Sequence, residues 1–140
     1  MRLFFIPLLI LISIKCFGDN SEKLIVYFEF DKYNLTKISQ NAIDEKLQKS
    51  EYERILIKAY CDSFGNIEYN MSLSSRRANA IRNFLIDRNI NESKIRIEYF
   101  GEKFPLNNNE DETARALNRR GEILNIQKIK LQLFKMILYS

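Results

Sequence analysis

Residues 62–78 read DSFGNIEYNMSLSSRRA, and this stretch decides the fold. Asp62 comes directly after an apolar strand pattern, and Asn70 follows eight residues later. The arginines at 76 and 77 then open an amphipathic pattern that is typical of a helix. A carboxylate and a guanidinium held on neighbouring elements can bind a small zwitterion, because its ammonium and carboxylate need opposite charges at a fixed separation. The stretch therefore predicts a site for such a ligand.

The composition predicts a binding protein rather than an enzyme. The chain has 140 residues, 46% of them hydrophobic and 29% charged, which is enough for one domain with a single core. It contains no histidine. This removes the commonest general base, the Ser–His and Cys–His nucleophile pairs and most zinc sites. We therefore expect no catalytic residues, no metal and no cofactor.

The first 18 residues predict a secretory signal peptide. Arg2 is followed by an apolar run over residues 3–14, and small residues at 16 and 18 suit a cut before Asp19. The run is shorter than the roughly twenty residues that span a bilayer. Two alternatives stay open, an uncleaved signal anchor and lipidation at Cys16, although Lys15 stands where a lipidated cysteine usually has a small residue. Only these alternatives would attach the chain to a membrane.

Charge and cysteine content exclude two further classes. The predicted cut leaves 20 of the 22 basic residues against 18 acidic ones, which is too balanced a charge for a nucleic-acid-binding protein. The cut also leaves Cys61 as the sole cysteine of the mature chain, so no disulfide framework can form. We expect Cys61 to be a small buried residue.

Strand and helix patterns alternate along one domain that we place at residues 19–127. Strands are predicted at 24–30, 54–60, 95–100 and 122–126. Thr36 can cap a first helix, a second of about four turns begins near Leu73, and a short third covers 112–117. This order favours an α/β layered sandwich with at least one parallel strand pair. Loops at the carboxyl ends of such strands commonly bind ligands, and the Asp62 loop is one of them.

Several of these residues belong to one longer pattern. It consists of Asp62, Gly65, Asn70, Leu73-Ser74-x-Arg76-Arg77-Ala78, Tyr99-Phe100-Gly101-Glu102, Pro105 and Asn118-Arg119-Arg120. This pattern resembles the OmpA-like peptidoglycan-binding domain, over roughly residues 24–126. The resemblance implies an α+β two-layer sandwich, in which a mixed four-stranded sheet carries two main helices on one face. It also implies a periplasmic or cell-envelope protein that binds the peptidoglycan stem peptide non-covalently, through its third-position diamino acid.

The same resemblance implies five ligand-binding residues. Asp62 matches the acidic contact of the family and Arg77 the basic one, while Asn70 and Arg119 match supporting positions. Asp31 lies where the first loop approaches the ligand, although an acid there can also cap the helix that follows. The ligand ammonium would meet Asp62 and its carboxylate Arg77. Which diamino acid the site prefers stays open.

The chain departs from the family pattern at several places. Cys61 replaces a threonine, which removes a hydroxyl contact. Asn89 stands where a helix-ending glycine is usual, and asparagine tolerates the left-handed cap. Gly121 replaces a β-branched residue and is expected to weaken the last strand. The apolar and basic tail at 128–140 has no counterpart in the pattern.

Two other functions compete with wall binding. An interaction protein of the same fold could bind an envelope protein through its tail or an edge strand. A wall hydrolase has less support, because amidases commonly need histidine-bound zinc and glycosidases need two carboxylates that flank the bond.

Overall fold

The computed structural model describes residues 23–49 and 52–126, and these contain four strands and three α-helices. The predicted signal peptide, with Cys16, and the tail at 128–140 lie outside the described residues. A short 3₁₀ turn at Glu92–Lys94 precedes the third strand. In chain order the elements are β1 (Lys23–Tyr27), α1 (Lys37–Lys49), β2 (Arg54–Ala59), α2 (Ile67–Ile86), β3 (Ile95–Tyr99), α3 (Glu112–Asn118) and β4 (Arg120–Ile126).

The four strands form one mixed sheet in the order β1-β4-β2-β3. β4 is antiparallel to both of its neighbours, whereas β2 and β3 are parallel. The register places Gly121 of β4 between Val26 of β1 and Ala59 of β2. The predicted mixed four-stranded sheet with a parallel pair is thereby confirmed.

The two long helices pack on the same face of the sheet. Ile43 of α1 and Ile81 of α2 join Ile55 and Ile57 of β2 in one buried core cluster. Removing such side chains from water stabilises the fold by about 1.5–3 kcal/mol each. The predicted two-layer arrangement is confirmed. Within the described ranges, no helix combines the length and the apolar character that crossing a membrane requires.

Helix α2 begins earlier than the sequence pattern indicated. Asn66 caps it by accepting a hydrogen bond from the Tyr69 backbone N–H at 2.7 Å, so the helix runs for 20 residues instead of about four turns. Its first turn is exposed and therefore shows no apolar periodicity. Asn70 consequently lies on the helix and not in the loop before it. At the other end Asn89 has φ 64°, the left-handed conformation expected of it.

Gly121 was expected to weaken the last strand, but β4 runs through it without interruption. β4 starts one residue before it and pairs on both sides at this position. A Cβ atom built on Gly121 would lie 2.3 Å from Cδ1 of Ile81, closer than atoms can approach. The glycine therefore lets α2 pack directly against the middle of the sheet. This close packing also fixes the position of α2 above the end of β2.

Candidate functional site

A cleft of about 230 Å³ opens beyond the carboxyl end of β2, between the Asp62 loop, the first turns of α2 and the loop after β1. Three of the five residues proposed from the sequence line it, namely Asp31, Asp62 and Arg77. The other two, Asn70 and Arg119, contact Asp62 from outside the cleft wall. The cleft lining consists of Phe30, Asp31, Asp62, Phe64, Gly65, Tyr69, Leu73 and Arg77.

Asp62 is buried at the base of its loop, with 4% of its surface exposed. One carboxylate oxygen, Oδ2, lies 3.0 Å from Nη1 of Arg119, and the other, Oδ1, accepts a hydrogen bond from the Phe64 N–H at 3.1 Å. Gly65 turns the chain with φ 102°, a conformation that side chains other than glycine rarely adopt. The carboxylate is thus held in one orientation before any ligand arrives.

Arg119 fixes Asp62 from behind. Its Nη2 lies 2.6 Å from Oε1 of Glu112, and its Nε donates to the Phe28 carbonyl oxygen at 3.3 Å. Burial acts to lower the pKa of Arg119, but the hydrogen bonds to Glu112 and Asp62 outweigh it and raise the pKa. Arg119 therefore stays charged and positions Asp62. Its direct contact with a ligand stays a prediction.

Arg77 is fully buried, and most of its donors already have acceptors. Nε donates to the Lys32 carbonyl at 2.8 Å, Nη1 to the Tyr60 carbonyl at 2.9 Å, and Nη2 to the Glu29 carbonyl at 3.3 Å. Nη1 also contacts Sγ of Cys61 at 3.5 Å. Burial lowers the pKa of Arg77, yet a guanidinium remains protonated in proteins. Of its five N–H groups, one on Nη2 has no acceptor among the described residues.

Asn70 connects the Asp62 loop to the loop after β3. Its Nδ2 donates to Oε2 of Glu102 at 2.7 Å and to the Asp62 carbonyl at 3.4 Å. Its buried Oδ1 has no hydrogen-bond partner within the described part of the chain. The Cys61 thiol donates to the Asn70 carbonyl at 3.4 Å, and burial raises its pKa to about 11. Cys61 is therefore a packed, protonated thiol, as expected.

The mouth of the cleft is polar and aromatic. Asp31 is exposed, has φ 56°, and accepts a hydrogen bond from the Tyr69 hydroxyl. It does not cap α1, because the Ser39 N–H donates to Oγ1 of Thr36 instead. Asp31 thus lines the cleft, and its contact with a ligand stays a prediction.

Sequence reasoning missed the aromatic side chains of the cleft and two carboxylates behind it. Phe30 and Phe64 contact each other edge to face, with ring centroids 5.4 Å apart, and 64% of Phe64 is exposed. Glu102 and Glu112 hold Asn70 and Arg119. The aromatic residues of the cleft could have been found from one signal, namely their position in the sequence beside an acidic motif. The family pattern included Glu102 without giving it a role, and no local pattern indicated Glu112.

The described residues offer no metal site, since they contain no group of three or more Cys, Asp or Glu side chains arranged to hold an ion. Asp62, the most deeply placed acid of the cleft, is already neutralised by Arg119. The arrangement suits an organic ligand that carries both charges.

Comparison with known proteins places the chain in a family. The model of the OmpA family matches residues 27–119. The peptidoglycan-associated lipoprotein of Pseudomonas aeruginosa is 31% identical over 99 residues, which cover 69% of this chain and 59% of that protein. Outer membrane protein A of Bordetella avium is 34% identical over 100 residues, which cover 69% and 52%. The chain thus spans about half to three fifths of the length of these relatives.

Solved structures agree with this assignment. The crystal structure of the peptidoglycan-associated lipoprotein from Burkholderia pseudomallei superposes with a TM-score of 0.67 at 29% identity, over 71% of this chain and 87% of that one. The C-terminal domain of Helicobacter pylori MotB shares the fold, with a TM-score of 0.67 at 20% identity over 82% and 94%. With its mixed sheet, its two helices on one face and the match over residues 27–119, the chain belongs to the OmpA family.

Proposed function

We propose that this protein binds peptidoglycan non-covalently through the diamino acid of the stem peptide, and so tethers the cell envelope to the wall. The observation that carries the proposal is the cleft beyond β2, where two carboxylates and a guanidinium are held within one small volume. The two relatives named peptidoglycan-associated lipoprotein, from P. aeruginosa and B. pseudomallei, support the same ligand.

The acids of the cleft suit the side-chain ammonium of a diamino acid. Among the described residues, Oδ1 of Asp62 accepts one hydrogen bond, from the Phe64 N–H, and the exposed Asp31 lines the same cleft. Hydrogen bonds to charged groups contribute about 1.5–3 kcal/mol each. The exposed rings of Phe30 and Phe64 would cover the methylene groups between the two ends of the ligand side chain.

Arg77 and the supporting residues would complete recognition. A carboxylate on the diamino acid would accept the remaining N–H of Arg77 Nη2, and Arg119 and Asn70 would hold the Asp62 loop in place. Because the contacts are hydrogen bonds and ion pairs with no nucleophile among them, we propose binding without catalysis. The site would act in the periplasm or at the outer membrane.

Sedimentation with purified peptidoglycan sacculi tests the proposal. We expect Asp62→Asn, which removes the charge but keeps the shape, to weaken co-sedimentation roughly tenfold or more, since one charge-assisted contact is lost. Asp44→Asn is the matched control: it also removes a carboxylate that is paired with an arginine, but on α1 and outside the cleft. We expect this control to sediment like the wild type.

Thermal unfolding of each variant separates a lost contact from a lost fold. If Asp62→Asn unfolds because Arg119 loses its partner, co-sedimentation is measured with Asp31→Asn instead, since Asp31 is an exposed carboxylate of the same cleft. If a folded variant of either kind sediments like the wild type, the proposed site is wrong. Competition with stem peptides that contain diaminopimelate, lysine or ornithine then identifies the preferred diamino acid.

A further inference from the structure

Arg76 lies next to the cleft, beside two tyrosine rings. Its guanidinium carbon lies 5.2 Å from the ring centroid of Tyr33 and 5.9 Å from that of Tyr69. Tyr69 is itself part of the cleft wall, and its hydroxyl donates to Asp31 on the opposite side of the mouth. Two aromatic faces therefore hold a cation next to the opening, which reduces the side-chain freedom that a ligand contact would otherwise remove.

The two neighbouring arginines have different amounts of free hydrogen-bonding capacity. Arg77 is buried and donates to three carbonyl oxygens and a sulfur atom. Arg76 is exposed, donates one hydrogen bond to the Tyr69 hydroxyl oxygen, and forms no ion pair with any of the described carboxylates. The unused donors at this site therefore belong mainly to Arg76. A planar guanidinium with free N–H groups is well suited to bind a carboxylate through two parallel hydrogen bonds.

We propose that Arg76 is a second carboxylate-binding residue, which binds the carboxylate of a ligand residue adjacent to the diamino acid. This inference rests on the proposed function, because it takes the diamino acid to lie in the cleft. A neighbouring residue of an extended peptide lies only about 3.5 Å further along the chain, so its carboxylate can reach the mouth. The site would then recognise two adjacent residues of the ligand peptide instead of a single side chain.

Two carboxylates of a stem peptide have the required chemistry. One belongs to the acidic residue before the diamino acid, and the other is the C-terminal carboxylate of the residue after it. Both present the same planar anion to Arg76, so separate amidation of each distinguishes them. Amidation removes the charge and leaves the length of the peptide unchanged.

The test measures the affinities of three stem tetrapeptides by calorimetry: one with both carboxylates free, one amidated at the second residue, and one amidated at the C-terminus. We expect the wild type to bind the free peptide about three- to fivefold more tightly than one of the amidated peptides, as for an exposed ion pair. In Arg76→Gln this preference should disappear. Arg82→Gln, which removes an arginine on the same helix that pairs with Glu92, should keep it.

The outcomes separate the inference from the proposed function. If all three peptides bind the wild type equally, or if Arg76→Gln keeps the preference, the role of Arg76 is wrong while peptide binding stands. If none of the peptides binds, both are wrong. A preference of the wild type that weakens at high salt would further support a charge contact.

Discussion

Arg77 joins the cleft to the interior of the protein. None of the described carboxylates lies at hydrogen-bonding distance from its guanidinium. The guanidinium instead donates to the carbonyl oxygens of Glu29, Lys32 and Tyr60. These acceptors belong to the loop after β1 and to the end of β2, so one side chain fixes two of the three walls. The ring of Phe28 lies 5.0 Å from its guanidinium carbon and adds a cation–π contact.

Replacing Arg77 should therefore cost stability as well as binding. We expect Arg77→Met to lower the free energy of unfolding by about 2–4 kcal/mol, because three carbonyls lose a buried donor. Urea unfolding followed by circular dichroism measures this. Arg82→Met, on the same helix but partly exposed, should cost less than about 1 kcal/mol. Equal losses in both variants would contradict the structural role of Arg77.

Gly121 is a second residue with a strict local requirement. We expect Gly121→Ala to destabilise the fold by about 1–3 kcal/mol, because the new methyl group would overlap Cδ1 of Ile81. Ile81→Val removes that carbon, so the double variant should be more stable than the sum of the two single losses predicts. Urea unfolding of all four proteins gives the coupling energy. Simple additivity would show that the contact does not limit packing.

At the scale of elements, β4 carries charges that join it to β1. Glu122 is buried, with Oε1 2.8 Å from Nε of Arg120 and Oε2 3.1 Å from Nζ of Lys23. Burial acts to raise the pKa of Glu122, but the hydrogen bonds from Arg120 and Lys23 outweigh it and lower the pKa below its ordinary value of 4.5. The edge strand β1 is thus held to the central strand by an ion pair in addition to the backbone ladder.

This network predicts a pH dependence of stability. Because the folded pKa of Glu122 is lowered, its contribution is present above the unfolded value near 4.5 and is lost as the pH falls through the folded pKa. Urea midpoints between pH 7 and pH 3 should therefore fall more steeply for the wild type than for Glu122→Gln. Parallel curves would show that Glu122 does not contribute to the acid sensitivity.

The sequence patterns predicted which strands and helices form more accurately than they predicted the residues at which these elements begin and end. Strand β1 was expected to reach Phe30 but ends at Tyr27, since Asp31 enters a left-handed turn that no apolar pattern reveals. Helix α2 starts several residues early because its cap, Asn66, and its exposed first turn lie outside the apolar stripe. The motif predicted Asp62 and Arg77 as the two ligand contacts, and both line one cleft, although their contact with a ligand stays a prediction. It could not indicate that Arg77 would be buried, because that depends on carbonyl groups from two other segments.

At the scale of the whole molecule, the strand order makes β4 one of the two inner strands of the sheet, together with β2. It pairs with β1 on one side and with β2 on the other, whereas β3 has only β2 as a described neighbour. The cleft takes its parts from segments near residues 30, 62–77 and 119. The site is therefore as stable as the sheet that holds these segments together.

This topology predicts a gradient of hydrogen exchange. We expect the backbone amides of β4 to exchange more slowly than those of β3, because opening β4 breaks two ladders while opening the edge strand breaks one. Amide exchange followed by NMR at neutral pH measures this. Equal protection of the two strands would mean that the sheet opens only as a unit.

The contact between Asp62 and Arg119 has a consequence for the time at which the site appears. The two residues are 57 positions apart, and the Phe28 N–H also donates to the Arg119 carbonyl at 2.8 Å. During synthesis the first 118 residues can emerge from the ribosome while Asp62 still lacks its partner. In a nascent or truncated chain Asp62 is therefore not yet held by Arg119, and the proposed binding site is complete only when the last strand has been made.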